Sequence, residues 1–462
     1  MGSVTQVQYD AYDLSVQMTT DAIRNQTSMG DRLANGTISP GGFDYRVLQP
    51  RVISDANRNR TKFIYDALGV AVGKAVLGKP EESLGDSLDG FEPNLDERIT
   101  LPFLQNPAIG GISLLSTATT RTVYDLFAYS RSRTPSLICT IGRFTHDNPI
   151  SETQATVTYF DGFGRPIQSK IQVNPGPVAS RDPKGTIILD NENEPVLTTT
   201  PSNPRWKSSG WVVYDNKDNA VCRYEPYYTD RFSFEFDVRV GATSIQFYHA
   251  LSRQFASLLP NNSYSKILWT PWTLTSYDGN DTVTSDPRAD PDVQDYMNQY
   301  FSGASTFQTW YQSRSSGQLG ALEQQAAQKA AALANTPTVQ FFDSLGRSFL
   351  SVSQVKTVLV GHDLNNTTQS RYARYDLDID GLKLAVRDTL DRVVETFSYD
   401  MNKRAFRMAS LDARPRATLM NAMNKPIRQW DCMGRQFRFE YDATLIDPHL
   451  RARRSSSKYE QQ

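Results

Sequence analysis

The stretch Tyr159 to Lys170, YFDGFGRPIQSK, contains in order an aromatic pair, an aspartate, a glycine-bearing turn, an arginine and a run of alternating character. Each part has a physical reason. The aromatic packs on a strand face, and the Asp161 carboxylate is placed to accept backbone N–H groups two residues on. Gly164 tolerates the positive φ that a tight hairpin needs. The chain then reverses, and Ile167, Ile171 and Val173 fall on one face of the outgoing strand, with Ser169 the single gap.

The unit recurs. Tyr65-Asp66-Ala67-Leu68-Gly69, Phe342-Asp343-Ser344-Leu345-Gly346-Arg347 and Trp430-Asp431-Cys432-Met433-Gly434-Arg435 repeat it. Looser copies stand at Tyr214-Asp215, Tyr277-Asp278, Tyr399-Asp400 and Tyr441-Asp442. The spacing between copies is irregular, which describes a recurring hairpin rather than a strict solenoid period. Between turns the period is two: Phe232 to Val240 alternates without a break, and Phe437, Phe439 and Tyr441 alternate with Gln436, Arg438 and Glu440. The expectation is a mainly β chain of antiparallel strands, one sheet face apolar and the other wet.

One segment departs from this. Val293, Tyr296, Met297, Tyr300 and Phe301 fall at helical spacing, and Gln318 to Asn335 is rich in Ala, Leu, Gln, Glu and Lys before Pro337. These residues predict a helical insertion of two or so helices, approached through DPRADPD. Gly78 to Glu97 and Asn174 to Pro204 read as loops crossing the sheet surface. The expected organisation is a β segment over 1–285, the insertion over 286–337, a second β segment over 338–446 and a disordered polar tail over 447–462.

Composition limits function. Lys plus Arg (49) nearly cancels Asp plus Glu (50), so no net field favours nucleic acid. With 22 Tyr, 22 Phe and 6 Trp the chain is far from the aromatic-poor composition of disordered proteins. No window approaches roughly 20 consecutive apolar residues, so no membrane span is expected. The N-terminal text lacks the basic and apolar regions of a secretory signal peptide. Met1-Gly2 lacks the Ser or Thr that myristoylation requires further on, Gln6 standing there instead.

Candidate chemistry fails requirement by requirement. Asp376, Asp378, Asp380 and Gly381 match the start of an EF-hand loop, but the twelfth position is Arg387 where a bidentate Glu is needed. Asp380-Gly381 therefore reads as a hairpin turn. His146-Asp147 and His362-Asp363 have no nucleophile motif beside them, and His249 and His449 complete the histidines. Cys139, Cys222 and Cys432 match no metal motif or disulfide framework and read as ordinary thiols. The sequons at Asn261 and Asn280 need a secretory context that the N-terminus does not supply. No catalytic, cofactor-binding or metal-ligating residue is assigned, and the chain is expected not to be an enzyme.

With these motifs in place the chain resembles the YD-repeat region in the B component of bacterial Tc insecticidal toxins, within the Rhs family. The matching text runs through Asp44 to Arg51, Asp55 to Arg60, Tyr65 to Gly69, Tyr159 to Lys170, Val173 to Pro177, Gly210-Trp211, Tyr224 to Pro226, Asn280 to Val283, Asp286 to Arg288, Lys425 to Arg428 and Trp430-Asp431. It covers most of the chain. The resemblance implies a hollow Rhs-type β-shell that encloses a cytotoxic C-terminal effector until delivery through a pore-forming toxin subunit, and a secreted toxin complex as its setting. The propeller and the Rhs-core segment where the family's autoprotease cleaves are not in this text. Asp447-Pro448-His449-Leu450 is similar to the Asp-Pro text near such sites but lacks the Gly-Leu that follows. The chain is thus expected to be part of a shell wall. The competing expectation is a carbohydrate- or protein-binding β-repeat module, on the strength of the aromatics; a hydrolase has only the isolated acids and His-Asp pairs in its favour.

Overall fold

The computed structural model describes residues 4–148, 150–302, 307–357 and 367–441, together with the backbone of 452–458. Its strands form two large sheets, one of 12 strands from Gln6–Tyr9 to Tyr227–Thr229 and one of 16 from Val212–Tyr214 to Ala452–Lys458, beside a two-stranded ribbon of Phe43–Asp44 and Gln49–Pro50. Strand order follows chain order almost throughout, the signature of a meander whose hairpins are fixed by local turns. The mainly β antiparallel class expected from the turns is the fold observed.

The change from one sheet to the other falls inside the expected first β segment, near Ser208. After Arg205–Ser208 the chain leaves for Val212–Tyr214 and Ala220–Arg223, which open the second sheet, and then returns so that Tyr227–Thr229 closes the first against Arg205–Ser208. The insertion divides nothing, because Thr273–Tyr277 and Thr338–Phe342 on either side of it pair directly. Backbone pairing across 60 residues of intervening chain leaves no composition signal.

The two largest apolar cores sit where helices cover these sheets. In the first, Val123, Cys139, Ile141, Val157, Tyr159 and Trp206 pack under Phe103 and Leu104 of the helix Glu97–Leu104. That helix starts where Asp96 accepts the Arg98 N–H. It and the short helices Gly111–Leu115 and Ala128–Ser132 were not expected. In the second core, Val293 and Met297 on and beside the helix Gln294–Tyr300 meet Cys222, Ile245, Phe255, Leu258 and Tyr264. Of the helical spacing read from the sequence, Val293 and Met297 are the buried members, while Tyr296 and Tyr300 stay exposed. Two further helices, Trp310–Ser315 with its Thr309–Gln312 capping box and Ala321–Ala332, complete the insertion.

Residues 78–96 and 174–204 carry isolated bridges and no strand, as loops crossing the surface should. Phe232 to Val240, expected as a strand, is a crossing segment outside both sheets, bent at Ser233 and turning at Phe236 and Asp237, where Asp237 holds φ of 56°. The expected tail over 447–462 includes a strand at Ala452–Lys458 paired with Gln436–Tyr441, and its other residues lie outside the described ones.

The remaining part of the second sheet is built differently. From Thr338 to Tyr441 Ala385 is the single buried residue among the described ones, so neither face of this length of sheet is covered.

Candidate functional site

Three local constructions organise the molecule, and each begins with an aspartate or a lysine. The first is the turn. Asp161 accepts the N–H groups of Phe163 (2.9 Å) and Arg165 (3.1 Å), and the Arg165 side chain returns to the same carboxylate at 2.6 Å. Asp343 with Arg347 and Asp431 with Arg435 repeat this, and Asp66 and Asp215 repeat the backbone part. Gly164 and Gly346 hold φ of 78° and 74°, as the motif requires. The unit is wider than an aromatic–Asp pair: Asp182, Asp190, Asp388, Asp400 and Asn421 make the same two backbone bonds, four of them without a preceding aromatic. The signal the sequence offered for these was an Asp or Asn with a glycine, Asn or Asp two or three residues on.

Because consecutive strands are antiparallel, every second turn reaches the same edge, and there the turns are stitched sideways. Arg165 donates to the Asp215 carbonyl at 2.9 Å, Lys217 to the Ala250 carbonyl at 2.6 Å, Arg347 to the Ile379 carbonyl at 3.0 Å and Arg404 to the Asn421 carbonyl at 2.9 Å. Arg165 joins the turns of one sheet to those of the other. A cation that closes its own turn and caps the next ties hairpins that otherwise share only strand bonds.

The second construction lies on the face expected to be wet. Gln168 and Lys170, the polar positions of Pro166–Val173, are fully buried because Phe232 to Val240 crosses over them. Lys170 Nζ donates to Glu235 at 2.5 Å, Tyr227 to the same carboxylate at 2.9 Å, and Arg181 to its other oxygen. Burial works against the Glu235 charge, but Lys170, Arg181 and the Tyr227 hydroxyl outweigh it and hold the carboxyl below its ordinary range. The third construction pins the insertion: Tyr264 donates to Asp290 at 2.5 Å, and Lys266 reaches Asp290 at 2.8 Å and Asp292 at 2.6 Å.

The residues weighed as chemistry are placed elsewhere. Asp376 pairs with Arg387 at 2.8 Å, so the position where a calcium loop needs its Glu neutralises the first acid instead. Asp380 pairs with Lys403 at 3.3 Å, and Asp378 closes the turn to Leu382 with Gly381 at φ 84°. His146 meets Asp86 at 2.6 Å, a carboxylate that also accepts the Asp147 N–H at 2.9 Å and the Thr119 hydroxyl at 2.5 Å. His249 accepts the Leu251 N–H within its own turn. His362-Asp363, His449 and Asp447-Pro448 lie outside the described residues. Cys139, Cys222 and Cys432 are free thiols, and burial pushes Cys139 up to about 12. Among the described residues no group of three or more His, Cys, Asp or Glu side chains could hold a metal, and no helix is long and apolar enough to cross a membrane.

These features define a class: long antiparallel sheets whose turn rims are stitched edge to edge, the Rhs-type β-shell fold of Tc toxins. The solved structures say so in particular. The chain superposes on a crystal structure of TcdB2-TccC3 with a TM-score of 0.61 at 18% identity, over 99% of this chain and 19% of that one. It superposes on the TcdB2-TccC3-Cdc42 crystal structure with a TM-score of 0.60 at 17% identity, over 100% of this chain and 22% of that one. A Photorhabdus luminescens Tc holotoxin pore carrying a TccC3 mutation gives 0.59 at 17% identity, over 100% of this chain and 21% of that one. The likeness is one of fold, and the chain spans about a fifth of the length of the chains it matches. No family model and no curated protein matches the sequence.

Proposed function

We propose that this chain is a length of wall in a Tc-toxin-like shell, a structural part without catalysis of its own, which joins with further wall to enclose a cytotoxic cargo. The observation that carries this reading is the sheet from Thr338 to Tyr441, where Ala385 alone is buried among the described residues. An ordinary domain buries one face of each sheet against a second layer. A container wall separates two spaces instead, and its rigidity must come from within the sheet, which the sideways bonds of Arg347 and Arg404 supply.

On this reading the partners are the remainder of the shell, an effector segment held within it and a pore-forming subunit through which the effector leaves, and the complex acts outside the cell that makes it. Electron microscopy of the natural full-length polypeptide tests it. A hollow β-body with density inside is expected, and a compact solid particle would overturn the reading.

A further inference from the structure

Arg121 lies on the strand Thr120–Asp125 in register with Val123, on the face that builds the first core. It is 4% exposed, and its guanidinium sits 3.6 Å above the centre of the Phe91 ring. No acceptor among the described residues takes a hydrogen bond from it, and its Nε is buried without a partner. The other two arginines buried this deeply do donate hydrogen bonds: Arg32 to the Asp55 and Ala56 carbonyls, its Nε alone left unpartnered, and Arg60 to the Gly78 and Lys79 carbonyls and Asp31. Desolvation lowers the Arg121 pKa to about 10, which leaves the group charged at neutral pH. Its charged neighbour Glu92 acts through space without a hydrogen bond and does not outweigh burial; a buried cation so incompletely compensated is costly, so its persistence calls for a closer anion.

The space beside it can hold that counterion. Arg121 lines a cavity of about 210 Å³ between the sheet and the helix Glu97–Leu104, walled by Val72, Leu95, Leu101 and Val123. Of the three acids on its lining, Glu97 is mostly exposed and pairs with Arg131 at 3.9 Å, and the other two are already engaged. Asp66 accepts the Leu68 and Val70 N–H groups and the Tyr124 hydroxyl, and Asp125 accepts Arg131 and the Phe127 N–H. The buried charge on this lining without a hydrogen-bonded partner is therefore positive, and the wall is mixed, with Leu95, Leu101 and Val123 beside Asn94, Thr100 and Thr122. At about 30 Å³ per water the space exceeds what one water or chloride fills, and it falls short of the roughly 300 Å³ at which drug-sized pockets begin.

We infer that this cavity is a binding site for a small organic carboxylate with a compact apolar body, its carboxylate on the Arg121 guanidinium and its body against Leu95, Leu101 and Val123. A planar guanidinium matches a carboxylate in two parallel hydrogen bonds, and exclusion of water strengthens both.

Titration calorimetry and thermal melting of the full chain test the site, with sodium benzoate and hexanoate set against benzamide, hexanol and sodium chloride at equal ionic strength. Saturable binding and a raised Tm are expected with the carboxylates alone. Arg121→Met should weaken benzoate at least about tenfold while leaving the ligand-free Tm no lower than that of the parent, since it removes an unpaired buried charge. Leu101→Trp fills the cavity from the helix side, keeps the arginine and should also abolish binding. The inference is overturned if chloride or the neutral analogues act as well as the carboxylates, or if both variants retain benzoate affinity within about twofold.

Discussion

Lys170 Nζ and the Glu235 carboxylate meet 2.5 Å apart on the polar face of the first sheet, both closed off from solvent by a crossing segment. Both residues sit at positions whose alternation assigns them to water. Their pairing, with Arg181 and Tyr227 alongside, fastens residues 231–240 over the strand Pro166–Val173.

Removing one member of this pair leaves the other charge buried. Lys170→Met is therefore expected to destabilise the fold by about 3–5 kcal/mol in urea unfolding, and adding Glu235→Gln should recover part of that loss. Additive losses in the double variant would show that the two side chains do not depend on each other.

The turns make a pair of graded tests. Asp161→Ala loses two backbone bonds and the Arg165 contact and should cost about 1–2 kcal/mol. Gly164→Ala meets nothing within 4 Å and should cost only the strain of its φ of 78°, about 1 kcal/mol. At Gly210 an added Cβ would run into the Tyr224 carbonyl, so Gly210→Ala should be clearly worse than Gly164→Ala in the same melts.

Acid should unfold the protein through its paired carboxylates. Burial opposes the charge of Asp86, Glu235 and Asp290, but their hydrogen bonds and neighbouring cations win and hold all three below their ordinary values of 3.8, 4.5 and 3.8. A carboxyl depressed in the fold adds stability that is present above its unfolded value and lost as pH falls through its folded one. Stability should hold down to the ordinary carboxylate values and drop below them, and Asp290→Asn should flatten that drop in unfolding curves collected across the acid range.

Thiol labelling separates the three cysteines. Cys432 is exposed while Cys139 and Cys222 are buried, so a maleimide should add one label to the native chain and three after denaturation. Rapid labelling of more than one thiol in the native protein would contradict the packing of both cores.

The turns and the helical spacing of the insertion were legible in the sequence because both are local. An aspartate that accepts N–H groups two and four residues on does so wherever the chain goes, and Val293 and Met297 share a helix face before any sheet exists to receive them. Phe232 to Val240 was misread because perfect alternation predicts an extended strand, whereas the chain bends at Ser233 and turns at Phe236–Asp237 as it crosses the sheet. Glu235 is 8% exposed and Phe236 74%, the reverse of the pattern's plain meaning. Arg121 left a readable trace, a charge in step with Val123 on an apolar face, but the Phe91 ring and the helix that enclose it arrive from elsewhere in the chain.

Residue spacing alone thus determined that this chain is mainly β, where its aromatic–Asp hairpins reverse and that the segment before Thr338 turns helical, since hydrogen bonds over four residues and side-chain periodicity need no distant partner. Tertiary structure alone decided which faces are dry, where one sheet gives way to the next and which charges are paired. Those depend on Tyr227–Thr229 returning to Arg205–Ser208 and on residues 231–240 lying across Lys170. Burial is a property of what covers a strand, and the covering segments here come from tens of residues away.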